Sequence, residues 1–446
     1  MTNEKDILSH YIGSGKLKLL DNNEEMDFNI EVIIYLNTEI DVILKSKEIS
    51  AKKMGLIDKF KCSFYGELNN DKKIYIPDAA INSTDFSMKQ SEGCCITIKI
   101  LTISDIFIWD KSYSSHEEVF KNCYNIKVGL INFLFDGRYM THYPSGQSRR
   151  DCFKINVLGK NLVIKQLEKY DEIKKILKEK KNNMLTSELL VDNIRYDPTI
   201  GSLIYDLFML ASFSQKTLIS RFYTEFLNGA NQIMIIYHSE KKYPYSNSSP
   251  LIDSRHLGNN DIEEFLESTF NEYQRLRAML KMNILFDIIC NAEIAEVLES
   301  KYLLQITALE LAIEQYRKEM GVDVDEDADL LDGIEKCISN FTSKKGIELS
   351  QEFIKELSVK LGHKTFKNKV KAVIRALKLT YSDSEIDRIK DNRNKIVHEL
   401  HFKDYSQPLQ DYLLLRLLVD KIILKILNYN GYILNYMNKY NREKID

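Results

Sequence analysis

From residue 16 to about 167 the chain repeats short runs of β-branched and aromatic residues: FNIEVIIYL, IDVILKS, KFKCSFYGEL, KKIYI, CCITIKILTISDIFIW, NIKVGLINFLF and KINVLGKNLVI. Residues of this type fit a pleated, half-buried surface, and the runs predict strands. Several alternate with period two, as in Lys59-Phe60-Lys61-Cys62-Ser63-Phe64, which buries one face and wets the other. An antiparallel sandwich or barrel is expected. Residues 168–182 predict a charged helix, Ser202 to Phe226 a more apolar helical segment, and QIMIIYHSE one more strand.

The segment KKYPYSNSSPLIDSR holds two of the six prolines and a cluster of serines, a composition of turns and irregular chain, and the domain boundary is placed there. Beyond it the period changes. Asn260 is expected to cap a helix, followed by Asp261, Glu263 and Glu264 at the positive end of the dipole. Ile262, Phe265, Leu266, Phe270, Tyr273 and Leu276 then recur at helical spacing. Helical patterns continue through KYLLQITALELAIEQYRKE, LLDGIEKCISNFT, SQEFIKELSVKL, HKTFKNKVKAVIRALKL, DSEIDRIKDNRNKIVHELHF and LQDYLLLRLLVDKIILKILNYN. Ser382 with Glu385 forms a capping-box start for the penultimate helix, and Pro408 opens the last one. The expected fold class is α+β and multidomain: a β-rich antiparallel domain with accessory helices over 1–255, then an all-α bundle over 256–446.

Composition narrows the class. At 446 residues, 44% hydrophobic and 28% charged, the chain is expected to fold in water as two domains. MTNEKDILSH lacks a basic region followed by an apolar one, and no apolar run reaches membrane-spanning length, so neither export nor a membrane partner is expected. Seven cysteines without a C-x-x-C spacing argue against a disulfide framework and a thiolate metal site, and place the protein in a reducing cytoplasm. A net charge of −3 gives no global attraction to nucleic acid, so any RNA contact needs a local basic patch.

Several motifs fail on inspection. Ile12-Gly13-Ser14-Gly15-Lys16 tempts a phosphate-loop reading, but His10 stands where glycine is needed and Leu17 where Ser or Thr is. Asp323, Asp325, Asp327 and Asp329 resemble a calcium loop, yet Ala328 and Ile334 occupy its glycine and glutamate positions. Cys94-Cys95 reads as buried packing, and Asn82-Ser83-Thr84 as an inert glycosylation acceptor.

Arg393-Asn394-Lys395-Ile396-Val397-His398 is the best candidate for chemistry. With 14 arginines and 8 histidines the bare spacing arises by chance about once, so placement carries the weight. Asn394 and His398, four apart, stack on one helical face, and Arg393 flanks it by about 100°. Ile396, Val397 and Leu400 would pack into the bundle. Glu310 falls with Leu303, Ile306 and Ile313 on one stripe, where a carboxylate needs a partner such as Arg317 or a site cation. The tract from His363 to Lys371, with Arg375 following, is basic without an acid. It is either a solvated helix face or, through Lys364, Lys367, Lys369 and Lys371, a hold on the phosphate backbone.

RNKIVH in a late helix of a C-terminal bundle resembles the signature of HEPN-domain ribonucleases: arginine, a polar residue, then histidine. ALELAIEQ upstream and the basic FKNKVKAVIRAL helix are similar to the ApeA-like branch, in which this domain follows a β-rich region. The resemblance covers about residues 256–440 and extends to the N-terminal part as architecture alone, helped by SRFYTEFLNGANQIMIIYH. Toxins of the family silenced by a nucleotidyltransferase carry tyrosine two places after the histidine, where this chain has Leu400, so modification there is not expected.

The resemblance implies antiphage defence of the abortive-infection type through RNA cleavage, with tRNA among the candidate substrates, by two signatures facing each other across a homodimer or higher oligomer. RNA supplies its own 2′-hydroxyl nucleophile, so neither metal nor other cofactor is expected. His398 would move protons near neutral pH, Arg393 would fork onto the phosphate, Asn394 would orient one or the other, and Glu310 would hold Arg393. The rival reading is a non-catalytic dimer that binds RNA or a protein. A third, a carbohydrate-binding or structural protein led by the β domain, makes the helical half dispensable. The β-rich region is expected to sense an infection cue, such as a phage-derived trigger, and to restrain the nuclease.

Overall fold

The computed structural model describes the whole chain except residues 1–5, 21–22, 47–60, 90–92, 104, 116–117, 119, 121–123, 143–147, 195–197, 230, 238–242, 254–260, 323–327, 346–348, 355–364, 404–405 and 446. It comprises two compact units, Met1–Asn271 and Glu272–Asp446. The division falls within a helix, later in the chain than the proline- and serine-rich segment.

Unit 1 carries β1 (Ile7–Leu19), β2 (Glu25–Tyr35), β3 (Ile40–Ser46), β4 (Lys61–Leu68), β5 (Lys72–Lys89), β6 (Gly93–Ile103), β7 (Ile106–Asp110), β8 (Asn125–Ile131), β9 (Tyr139–His142), β10 (Ser148–Val157) and β11 (Lys160–Gln166). It continues with α1 (Tyr170–Lys180), β12 (Leu185–Val191), α2 (Pro198–Gln215), β13 (Ser220–Asn228), β14 (Asn231–Ile236) and the start of α3 (Asp261–Leu276). All fourteen strands join one sheet in the order β4-β1-β2-β3-β6-β5-β7-β14-β13-β8-β12-β11-β10-β9, every ladder antiparallel.

The first part of this sheet closes, because β4 pairs with β5 as well as with β1. Closure removes two free strand edges that would otherwise be open to foreign chains. The remainder branches from the barrel by one register. Ala79 faces Ile103 and Tyr75 faces Phe107, so β6 and β7 lie in line along the same edge of β5. On their other edges β3 covers β6 and β14 covers β7, which carries the sheet out of the barrel. Period two is plain in β2, where Met26, Phe28, Ile30, Val32 and Ile34 are buried. Gly13 and Gly15 lie in β1, which confirms that GSGK is no phosphate loop. A Cβ on Gly15 would stand 2.3 Å from the Tyr65 carbonyl oxygen, so glycine here lets β1 and β4 approach.

The charged helix expected over 168–182 is α1, which buries Tyr170, Ile173 and Leu177. The helical expectation for Ser202 to Phe226 holds only as far as Gln215. Lys216 turns left-handed, and SRFYTEFLN is strand β13, paired with β8 and β14. Its aromatic residues favour a strand, and two neighbouring ladders satisfy its backbone.

Unit 2 takes in the end of α3 and contains α4 (Met282–Ile294), α5 (Leu298–Met320), α6 (Ala328–Lys345), α7 (Phe366–Ala376), α8 (Asp383–Glu399) and α9 (Pro408–Ile426). The all-α expectation fails at its end. The tyrosine-rich tail is a hairpin of β15 (Tyr432–Asn435) and β16 (Asn441–Lys444), joined through a 3-10 turn at Tyr436–Asn438. Asn428 closes α9 in a left-handed conformation, and Ile433, Leu434 and Tyr436 are buried. The expected Asn260 cap and the run Asp323, Asp325, Asp327 lie outside the described residues, whereas Asp329 falls in α6. Among the described residues no helix is long and apolar enough to cross a membrane.

A charged network is buried within this unit. The Arg416 guanidinium of α9 stands 2.7 Å from Glu293 of α4 and over the Tyr436 ring at 3.9 Å, with Tyr412 donating to the same carboxylate at 3.3 Å. Burial opposes the Arg416 charge, yet Glu293 beside it raises its pKa, and burial pushes the Tyr436 phenol well up. These contacts tie α4, α9 and the hairpin turn together through groups that are costly to leave unpaired.

Candidate functional site

Helix α8 begins with the expected capping box. Ser382 accepts from the Glu385 N–H, and the Glu385 carboxylate accepts from the Ser382 N–H at 2.7 Å. Ile386, Ile389, Asn392 and Ile396 form its buried face, which leaves Asn394 and His398 on the exposed side. Arg393 sits at the margin, half-buried.

There Arg393 reaches α5. Its Nη2 lies 2.9 Å from Glu310 Oε1 and its Nε donates to the same oxygen at 3.0 Å, while Nη1 donates to Asn394 Oδ1 at 3.1 Å. The guanidinium carbon stands 5.5 Å from the centroid of Phe366, the first residue of α7. Three helices therefore fix one cation whose charge remains partly open to solvent. His398 lies one turn beyond Asn394 on the same face, in the last turn of α8. It is exposed, and Lys395 and Glu399 pair beside it at 2.6 Å. Glu399 is held below the usual carboxylate range by the Lys395 hydrogen bond.

The packing expected of Val397 and Leu400 is corrected. Ile396 is buried, but Val397 is 42% and Leu400 70% exposed. Leu400 ends the helix in a left-handed conformation, which turns its side chain away from the bundle. The apolar stripe expected through Glu310 also breaks, because Leu303 is 36% exposed while Ile306 and Ile313 are buried. Arg317 pairs with Glu314 at 3.1 Å, so the partner of Glu310 is Arg393.

The lysines of the basic tract meet acids. Lys367 lies 2.6 Å from Asp387, Lys371 lies 2.8 Å from Asp383, and Lys369 pairs with Glu314. The Asp387 hydrogen bond raises the Lys367 pKa, and Lys371 holds Asp383 below the usual range. These contacts bind α7 to α8 and α5. Lys364 lies outside the described residues.

Sequence reasoning missed the groups that hold α8 in place. Asp411 of α9 accepts from Asn392 Nδ2 at 2.8 Å and from Arg388, and Asn392 Oδ1 accepts the Lys403 N–H at 3.1 Å. Lys403 reaches Asp391 at 2.6 Å and keeps its carboxyl below the usual range. The signal was present: Asn392 interrupts the apolar face of Ile386, Ile389 and Ile396, where a polar residue needs a buried partner. Phe366 had no such signal, since its ring matters only through a neighbouring helix.

Comparison of the chain with protein-family models, with curated proteins and with solved structures gives no match.

Proposed function

We propose that the chain is a metal-independent endoribonuclease of the HEPN type, working in the cytoplasm in antiphage defence of the abortive-infection kind, with the β-rich region as its sensor and restraint. The observation that carries this reading is the Glu310-held Arg393 beside Asn394, with His398 exposed one turn further on the same helix face. In the proposed reaction the ribose 2′-oxygen attacks the adjacent phosphorus and the bond from phosphorus to the 5′-oxygen breaks. The 2′-hydroxyl proton passes to a base and a proton is delivered to the leaving 5′-oxygen, with imidazole suited to both transfers. Arg393 neutralises the non-bridging oxygens as charge builds, and Glu310 and Phe366 hold its fork in place beforehand. RNA is the substrate, tRNA a candidate form of it, and two copies of RNKIVH in a homodimer make the complete cleft.

The test is cleavage of total cellular RNA by the purified chain in EDTA, compared with His398→Ala of matched folding. Cutting that resists EDTA, leaves 2′,3′-cyclic phosphate and 5′-hydroxyl ends, and vanishes in the variant is the expected result. A requirement for Mg²⁺ with 5′-phosphate products would overturn the reading.

A second reading, a non-catalytic dimer that binds RNA or a protein, draws on exposed Val397 and Leu400 flanking His398. It predicts that His398→Ala leaves the cellular phenotype unchanged.

A further inference from the structure

Unit 1 contains a half-open pocket of about 170 Å³, remote in sequence from RNKIVH. One wall is α1, which contributes Lys174 and Lys178, four apart and so on one face of the helix. Another is the loop after β14, which contributes Asn247, Ser248 and Ser249, and the segment after β8 adds Asp136. Among the described lining residues Asp136 is the one acid, and Lys174 lies 3.3 Å from it. Lys174 is thereby oriented with its own charge balanced, while Lys178, in the last turn of α1, leaves the wall formally positive.

We propose that this pocket binds a small phosphate monoester, such as a sugar phosphate. Two lysines one helical turn apart can reach the free oxygens of a dianionic group, and the amide and hydroxyl side chains elsewhere in the lining suit a hydroxylated body. The size fits that class, being well below the several hundred Å³ of sites that enclose drug-sized molecules. The lining is mostly polar, with Leu134 and Phe135 among its apolar members. The pocket lies in the region expected to sense a cue, but its binding chemistry stands independently of the ribonuclease reading.

Thermal melting of the full chain, with inorganic phosphate, ribose 5-phosphate or ribose alone, tests the assignment. Ribose 5-phosphate should raise the midpoint by at least about 2 °C at saturation, phosphate by less and ribose not at all. Lys178→Glu should abolish the shift, whereas Lys175→Glu, an equal charge change on α1 outside the pocket lining, should retain it. Ser248→Trp fills the space without changing charge and should also abolish it. Each variant must first melt alone within about 2 °C of the parent; Ser249→Trp replaces Ser248→Trp if that variant does not, and Lys178→Gln replaces Lys178→Glu, with Lys175→Gln as its control. Equal loss with Lys175→Glu, an undiminished shift in the tryptophan variant, or no shift in the parent overturns the proposal.

Discussion

Arg393 and Glu310 stand 83 residues apart in the chain and meet at 2.9 Å across α8 and α5. Both remain partly exposed, at 28% and 40% of the side chain, so the pair adds little to stability and its geometry is what it contributes. Glu310→Ala or Arg393→Ala should cost less than about 1 kcal/mol in denaturant unfolding. Under the proposed reaction, Arg393→Ala should lower cleavage by about a hundredfold or more, and Glu310→Ala by less. Exchanging the two, as Glu310→Arg with Arg393→Glu, should restore stability and leave cleavage lost, because the cation would then sit on α5. Restored cleavage in the exchange variant would sink the assigned role.

Asp411 should behave as a structural keystone for α8. Asp411→Ala strands Arg388 and the buried amide of Asn392, and should cost about 2–4 kcal/mol. Asn392→Ala, which also frees the Lys403 N–H, should cost about 1–3 kcal/mol. Equilibrium unfolding of both variants and their double mutant gives the coupling, expected to be clearly non-additive. Independent, additive effects would mean that the network does not act as a unit.

The buried network around Arg416 predicts asymmetry. Arg416→Met leaves Glu293 uncompensated and should cost about 3–5 kcal/mol, whereas adding Glu293→Gln to the same variant should recover part of that loss. In unfolding experiments, an Arg416→Met variant as stable as the parent would contradict the buried placement of this pair.

Acid should loosen the helix contacts around the site. Asp383 and Asp391 are held below their ordinary value of 3.8 by Lys371 and Lys403, so folding favours their ionised form. The stability they contribute is complete above about pH 5 and is lost as pH falls below 3.8 through the depressed folded values. These groups are exposed, so the effect should be small and should shrink further in 0.5 M salt, where the screening length is only a few ångströms. Melting curves at pH 5 and pH 3, with and without salt, check this. A pH effect in the Asp391→Asn, Asp383→Asn double variant equal to that of the parent would exclude these two carboxylates as its source.

Much of the architecture was legible because its signals are local. Period two exposed the strands, period 3.6 the helices, and the Ser382–Glu385 box and Pro408 fixed the starts of α8 and α9. These patterns depend on neighbours within a turn or two of chain, and sequence records them directly. The choice between sandwich and barrel was not legible, since closure rests on β4 finding β5, and the exit from the barrel on β6 pairing with β3 while β7 pairs with β14. Ladder partners are set by backbone hydrogen bonds, which carry no residue code. The same holds at the candidate site. RNKIVH and Glu310 could be singled out from spacing and from a carboxylate in an apolar stripe. That Arg393, not Arg317, receives Glu310, that Phe366 lies beneath the guanidinium, and that the basic tract meets acids follow only from how α5, α7 and α8 pack. A charged side chain takes whichever partner lies within reach, and reach is a property of the folded helices rather than of the order of residues along them.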